Sequence, residues 1–448
     1  MEIKSGRISE NSALMRVAKR IIAEAAHKTW LAELLRQRPD WLANLAAWLR
    51  KLTRNERRAL QHKLASGALI AALMCSILGV HPARAANITV DGTTCTLASA
   101  ISSANSNSSV GGCTAGSGAD TINLIVDVTL TADLPKITSN ITIQGGGHFV
   151  SGNNTNRVFW VGSTIPGNLT LDNVWVKDGY GGYGAGLYMY GGSTVTVKNC
   201  TISGNSTPDG SAAISVQDTN LTIQNSTITG NTTLNNGGGS AIKTWNNAVV
   251  SIQNSTISGN STFGGQGAVY FAYGTSVTIE NSIIANQTSG TDCSEGAGKN
   301  IATAGHNIES GTSCGFTNAA QGDMQNVTAG NLKLQALSSS GVGMTPTMAL
   351  GSYSLALEQI PVGAKCGAGS PYNLDQRGKP RPGDKNTANK CEIGAWEAQT
   401  TDLTLAVALQ SLKASAGLGW LGTGWAAVAA IGAAFGALLW RRRSPKNG

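Results

Sequence analysis

The sequence predicts an all-β chain wound as a right-handed parallel β-helix, with a helical and signal segment before the solenoid and a transmembrane helix after it. Three observations carry this. First, one phrase recurs between Asn168 and Gln287: Val195-Thr-Val-Lys-Asn-Cys-Thr-Ile-Ser-Gly-Asn205 returns as Leu221-Thr-Ile-Gln-Asn-Ser-Thr-Ile-Thr-Gly-Asn231, as Val250-Ser-Ile-Gln-Asn-Ser-Thr-Ile-Ser-Gly-Asn260, and as Val277-Thr-Ile-Glu-Asn-Ser-Ile-Ile-Ala-Asn286. With a degenerate copy from Leu169, the repeat asparagines are Asn173, Asn199, Asn225, Asn254 and Asn281, at steps of 26, 26, 29 and 27 residues. A near-fixed step of this size marks a solenoid. Second, each repeat opens with apolar-polar alternation, the period of a strand. Third, composition suits stacked strands and turns: 56 of 448 residues are Gly, and only 13% are charged.

Each repeat reads as three short strands. The first is the alternating run, such as Leu221-Thr-Ile. The second is centred on Ile202, Ile228, Ile257 or Ile284, and the third follows a glycine-rich bend at Gly186-Leu-Tyr-Met, Ala212-Ala-Ile, Ala241-Ile-Lys or Ala268-Val-Tyr. One coil cannot bury its own apolar face, so stacking must supply the core. Parallel crossovers are right-handed in nearly all cases, hence the predicted hand. The repeat asparagines are expected to stack as a hydrogen-bonded ladder. N-glycosylation at the Asn-x-Ser/Thr triplets is the competing reading.

From the N-terminus, residues 1–63 form a basic helical extension, with apolar spacing over 13–35 and 41–52 broken at Pro39. Three readings stay open: an extended basic region ahead of a signal sequence, a start codon assigned too far upstream, and an amphipathic helix lying on a membrane surface. Residues 64–85 hold the apolar run Leu64 to Val80, preceded by Arg57, Arg58, His62 and Lys63 and followed by Pro82-Ala-Arg-Ala85. That is the pattern of a cleaved secretory signal peptide. Residues 86–160 are the N-terminal cap and first coils, 161–290 the repeats, and 291–398 the last coils and a C-terminal cap. A linker (399–417) leads to an uncharged stretch (418–440), which at 23 residues is about 34 Å of helix, enough to span a bilayer. Trp420, Trp425 and Trp440 lie near its ends, and Arg441-Arg-Arg follows. The positive-inside rule then puts residues 441–448 in the cytoplasm and the solenoid outside, in the cell envelope.

Export permits disulfides. Seven cysteines remain after cleavage, and the local pairs Cys95–Cys113, Cys293–Cys314 and Cys366–Cys391 are the economical set. Each closes a loop of about 20 residues and contributes about 3 kcal/mol. Cys200 is left over, in the slot that Ser226, Ser255 and Ser282 occupy in later repeats. The net charge of +8 belongs to the ends: residues 1–64 hold 14 Lys/Arg against 6 Asp/Glu, and the remainder holds 19 of each. No basic face for nucleic acid is implied. Zinc is also not expected, since no Cys-x-x-Cys occurs and the exported part has only His148 and His306.

Two ordered sets of motifs resemble known bacterial surface proteins. Asp91-Gly-Thr-Thr-Cys-Thr-Leu-Ala-Ser-Ala-Ile, Gly118-Ala-Asp-Thr-Ile, Leu134-Pro and Ile141-Thr-Ile-Gln-Gly resemble the CSLREA domain, with Ala98-Ser99 standing where that name has Arg-Glu. Ser282-Ile-Ile-Ala-Asn, Asp292-Cys, Gly305-His-Asn-Ile-Glu-Ser, Cys314-Gly-Phe, Thr345-Pro-Thr-Met-Ala-Leu, Asp375-Gln-Arg-Gly-Lys-Pro-Arg-Pro and Cys391-Glu-Ile-Gly-Ala-Trp-Glu397 resemble choice-of-anchor Q domain proteins. One departure is Leu355-Ala-Leu-Glu358, where Pro-Ala-Ile-Asp is usual. Together the resemblances cover about residues 88–398. They imply a pectate-lyase-like right-handed β-helix with one of several C-terminal anchors, and no particular reaction.

Because that fold also hosts polysaccharide lyases and hydrolases, stacked positions are where catalytic residues would converge. A lyase needs clustered carboxylates, usually for Ca²⁺, and an Arg or Lys base; a hydrolase needs paired carboxylates. The slot before the asparagine column reads Gln144, Asp172, Lys198, Gln224, Gln253, Glu280. Asp172, Asp178 and Lys198 are the catalytic candidates, although Asp172 and Lys198 fall on adjacent coils as an ion pair rather than a carboxylate cluster. No cofactor is expected for a binding module; Ca²⁺ is the one the enzymatic reading would need. Tyr188, Tyr190, Trp245 and Tyr270 are the candidate ligand-binding residues, an outward stripe on which sugar rings could stack, or else ordinary cross-strand packing. Asp375, Arg377, Arg381 and Glu397 form the densest charged group, read either as a ligand site or as ion-paired closure of the C-terminal cap. Two functions therefore stand at this point: a membrane-anchored binding or adhesin-like surface with a polysaccharide or cell-surface ligand, and a carbohydrate-active enzyme.

Overall fold

A computed structural model describes residues 85–235, 238–272, 274–296, 300–383, 389–399 and 402. The basic extension, the signal segment and the 418–440 span lie outside the described residues. Among the described residues no helix is long and apolar enough to cross a membrane.

The described chain is a parallel β-solenoid with three long sheets. Among the described residues the first sheet has nine strands, from Asn87–Val90 to Asn300–Gly305; the second has eight, from Val128–Thr129 to Ile308–Glu309; the third has six, from Phe159–Val161 to Thr291–Glu295. Alternation sets the inside and the outside. In Asn168–Asp172, Thr194–Lys198, Asn220–Gln224 and Val249–Gln253 the second and fourth residues are buried and the others face out. Register is strict, so Leu171, Val197, Ile223, Ile252 and Ile279 lie directly above one another, each fully buried. A one-residue slip would turn this column to solvent, which is what fixes the register.

The corner between the first and second sheets is the asparagine column. Asn173, Asn199, Asn225, Asn254 and Asn281 have φ between 46° and 57°. Asn is the side-chain-bearing residue that most readily accepts this left-handed backbone, which explains its return at each corner. The ladder expected there is not formed as such. Only Asn281 bonds its column neighbour, Nδ2 to Oδ1 of Asn254 at 2.9 Å. The corner turns most of these side chains outward, where Asn173 donates to the Gly343 carbonyl and Asn225 and Asn254 donate to the Pro371 carbonyl. A continuous ladder stands one bend later. Asn205 Nδ2 donates to Asn231 Oδ1 (2.8 Å), Asn231 to Asn260 (2.9 Å), and Asn260 to Gln287 Oε1 (3.2 Å). The three asparagines are fully buried. Gly204, Gly230 and Gly259, with φ of 66–70°, make the bend that directs them inward.

Between corner and second sheet, a hydroxyl column satisfies buried amides: Ser226, Ser255 and Ser282 Oγ accept from the N–H groups of Cys200, Ser226 and Ser255 at 3.1–3.2 Å. The Cys200 sulfur takes the same place beneath the Val174 N–H (3.4 Å). Its thiol is unpaired and buried, and burial pushes its pKa up to about 12, so it is a packing atom rather than a nucleophile.

Three disulfides close the local pairs Cys95–Cys113, Cys293–Cys314 and Cys366–Cys391. The N-terminal end is closed by a helix that strand alternation did not foretell, α1 (Leu97–Ser106). Thr96 caps it through Oγ1, and Leu97, Ala100, Ile101 and Ala104 pack inward. An open solenoid end exposes its core, and an amphipathic helix covers it.

The C-terminal part departs most from expectation. Residues 333–383 and 389–399 do not simply cap the last coil; they run back along the second sheet. Thr345 Oγ1 donates to the Asn199 carbonyl, Gln376 Oε1 accepts from Thr227 Oγ1, and the Ala395 N–H donates to Thr256 Oγ1. This strap explains why Thr201–Ser203, Thr227–Thr229, Thr256–Ser258 and Ile283–Ala285 are buried on both faces, while Trp175–Lys177 keeps an accessible outer face. The charged group predicted within this segment is its clamp. Asp375 pairs with Arg377 at 2.8 Å and Arg381 with Glu397 at 2.9 Å, all but fully enclosed. The Asp375 carboxylate also accepts from the N–H groups of Arg377, Lys379 and Glu397.

Candidate functional site

Two surfaces compete. The first is the polar column beside the asparagine corner. Register places Gln144, Asp172, Lys198, Gln224, Gln253 and Glu280 in one file. From Asp172 onward their side chains are engaged with one another or with the strap. Lys198 Nζ lies 3.0 Å from Asp172 Oδ2, and Asn199 Nδ2 donates to Asp172 Oδ1 at 2.9 Å. Gln224 donates to Gln253, Gln253 to the Tyr372 hydroxyl, and that hydroxyl to Glu280 Oε2 at 2.6 Å. Lys365 Nζ holds the other Glu280 oxygen at 2.7 Å. Burial, then Glu280, pushes the Tyr372 hydroxyl pKa up.

Asp178 is not brought to Asp172 and Lys198. It lies beyond the far end of the second-sheet strand, bound to Lys177 (3.1 Å) and Ser151 (3.3 Å). The three catalytic candidates are thus one ion pair and one separate aspartate. Among the described residues no three His, Cys, Asp or Glu side chains are grouped to hold a metal ion, so the carboxylate cluster that a Ca²⁺-dependent lyase needs is not assembled there.

The second surface is the outer face of the third sheet. One outward file reads Trp160, Tyr188, Ser215, Lys243, Tyr270, Ser294. The Ile137–Val161 bridge sets Lys136 level with Trp160, at the head of the same file. Two residues along the strand, Gln217 pairs with Trp245 in a neighbouring file, and Tyr190 follows Tyr188 at the same interval. The four aromatic candidates therefore share one face, but not one column: Ser215 and Lys243 separate Tyr188 from Tyr270. The rings pack edge to face, Trp160 on Tyr188 at 5.2 Å and Tyr183 on Trp245 at 5.1 Å between centroids. Tyr183 and Tyr190 are 46% and 38% exposed, so the face is open.

Cations are threaded through these rings. Lys136 Nζ lies 3.9 Å from the Trp160 ring centre. The Arg157 guanidinium sits 4.8 Å from Trp160 and 5.2 Å from Tyr188. Lys243 lies 4.6 Å from Trp245 and 5.3 Å from Tyr270. Partial burial lowers the pKa of Arg157 and of Lys243 and raises that of Tyr188. Such contacts hold rings and charges in fixed order. Sequence reasoning missed Trp160, Lys136, Arg157 and Tyr183. Trp160 was within reach, being 28 residues before Tyr188, one repeat step; Arg157 and Tyr183 sit in bends that carry no periodic signal.

A family model for a right handed beta helix region matches residues 166–332. The match agrees with the observed solenoid and with its right-handed winding. No curated protein and no solved structure matches the chain.

Proposed function

We propose that this is an exported bacterial surface protein of the CSLREA and choice-of-anchor Q kind, held in the cell envelope by residues 418–440, whose β-helix serves as an adhesin-like binding module rather than an enzyme. On this reading the ligand is a polysaccharide or other cell-surface glycan, and the ligand-bearing surface is the outer face of the third sheet. The single observation that carries it is the open face of rings that gathers Tyr188, Tyr190, Trp245 and Tyr270 from two neighbouring files, with Trp160 packed on Tyr188 and Tyr183 on Trp245. Rings distributed over several parallel coils of one face offer a sugar chain more than one stacking position. The engagement of Asp172 with Lys198, and of Asp178 with Lys177, favours binding over lyase or hydrolase chemistry.

The test is a polysaccharide array probed with the full chain in detergent, with and without Ca²⁺, scoring retention and chain cleavage separately. Retention without cleavage, lost in Trp245→Ala, is the expected result. Ca²⁺-dependent cleavage abolished by Asp172→Asn or Lys198→Ala would replace the binding module with the enzyme.

A further inference from the structure

One end of the third-sheet face carries hydrogen-bond donors that the protein leaves without acceptors. The Arg157 Nε donates to the Tyr183 carbonyl at 3.0 Å, but among the described residues neither Nη group meets an acceptor. Asp133 is near enough to act on the charge, yet one of its oxygens accepts the Arg157 backbone N–H at 3.0 Å and no ion pair to the guanidinium forms. Lys136 Nζ lies over the Trp160 ring without a described carboxylate at ion-pair distance. The Trp160 Nε1 atom is buried with no hydrogen-bond partner, although buried indole N–H groups usually find one. Further along the file, the Ser215 hydroxyl is buried and unpartnered as well. The buried pair of unpartnered groups is costly, and beside it the Arg157 and Lys136 donors are accessible to a ligand that brings an acceptor.

The arrangement has a definite chemistry. A guanidinium with both Nη groups open presents the fork that receives a carboxylate or sulfate in two parallel bonds. The Trp160 and Tyr188 rings, in edge contact with each other, both border that fork and offer an apolar surface beside the charge. The geometry points to a subsite at Lys136, Arg157 and Trp160 for the anionic group of an acidic polysaccharide, with the neighbouring sugar stacked towards Tyr188. The inference rests on the binding role of the third-sheet face and adds to it the class of sugar and the residues that choose it.

The test uses the full chain in detergent against four immobilised polymers: alginate, its neutral propylene glycol ester, dextran sulfate and dextran. The carboxylate and sulfate arms separate the two sources of negative charge. The expected result is at least tenfold tighter retention of one acidic polymer than of its neutral counterpart, with that preference falling as salt rises. Arg157→Gln and Lys136→Gln should each weaken retention of the acidic polymer far more than that of its neutral counterpart, so that most of the preference is lost. Lys136 is the safer variant for folding, and unfolding midpoints of both variants control for damage. Equal retention of acidic and neutral polymers, or a preference that survives both substitutions, would overturn the anionic subsite while leaving sugar stacking intact. Retention of single-stranded DNA as tight as that of the acidic polymer would overturn the sugar assignment in favour of a general polyanion surface. If no polymer is retained at all, the binding role of the face fails and the subsite with it.

Discussion

The second and third sheets are built from the same kind of short parallel strand, yet their outer faces have opposite fates. On the second sheet, Thr201, Thr227 and Thr256 face outward and are buried, because the strap of residues 333–383 and 389–399 lies over them and bonds their hydroxyls. On the third sheet, outward Trp160, Tyr188, Trp245 and Tyr270 stay partly accessible, with cations lodged among them and several donors unmatched. The face of small polar residues is sealed by the chain itself; the face of large amphipathic ones is left open. Small hydroxyls give a strap short, specific hydrogen bonds and little area, whereas exposed aromatic rings are retained at a cost in solubility that a stability role does not require. A solenoid can thus keep its self-binding and its outward binding on different flanks.

That contrast can be broken from the sealed side with the largest effect. Arg381→Ala should leave the buried Glu397 carboxylate unpaired and destabilise the strap by about 3–5 kcal/mol. Loss of the matching share of the unfolding free energy in a denaturant melt is the measurement, and a cost below about 1 kcal/mol would show that the strap is not a clamp. Next in size, Asn231→Ala removes the middle rung of the buried ladder and strands its neighbours' polar groups. It should cost about 2–3 kcal/mol by the same melt, whereas Asn199→Ala at the corner should cost less, chiefly through its left-handed backbone.

A third effect is pH-linked. Burial and then the neighbouring Glu397 hold the Glu392 carboxyl well above the usual carboxylate range. Its ordinary value is 4.5, so the unfolded chain ionises first as pH rises. The stability tied to the protonated form is complete below that value and is lost progressively as pH climbs towards the raised folded value. Glu392→Gln should therefore flatten the fall in melting temperature between pH 5 and pH 9, and stabilise the protein at pH 9 by about 1 kcal/mol or more. Parallel curves for the two proteins would remove Glu392 from the account. The smallest stability effect belongs to the open side. Trp245→Ala should change stability by only about 1 kcal/mol while reducing polymer retention at least tenfold; a large stability loss would make Trp245 a packing residue instead.

Much of the solenoid was legible because its physics is periodic. A strand alternates with period two and a coil repeats near 27 residues, so the inward column of Leu171, Val197 and Ile223 could be read directly. Chemistry at one bend is harder to read from repetition. Asn199 and Asn205 both recur at Asn225 and Asn231 and at Asn254 and Asn260, and only the backbone turn distinguishes the outward corner from the inward rung. The helix α1 and the strap were hidden for another reason: each is non-repetitive and defined by what it covers. The aromatic face was half legible. Tyr188 and Trp245 lie on strands whose alternation exposes them, whereas Arg157 enters the site from a bend and is connected to it only in three dimensions.

The strap has a mechanical consequence. Arg377 sits beside Gln376, which bonds Thr201 and Thr227 in the middle coils, and Arg377 also holds Asp402 at 3.0 Å. Asp402 is therefore held at the flank of the solenoid, level with its middle coils. A pull applied at Asp402 would meet its pair with Arg377 first and then the Asp375–Arg377 and Arg381–Glu397 pairs, so the load would be shared among the coils that the strap bonds rather than peeling the last one.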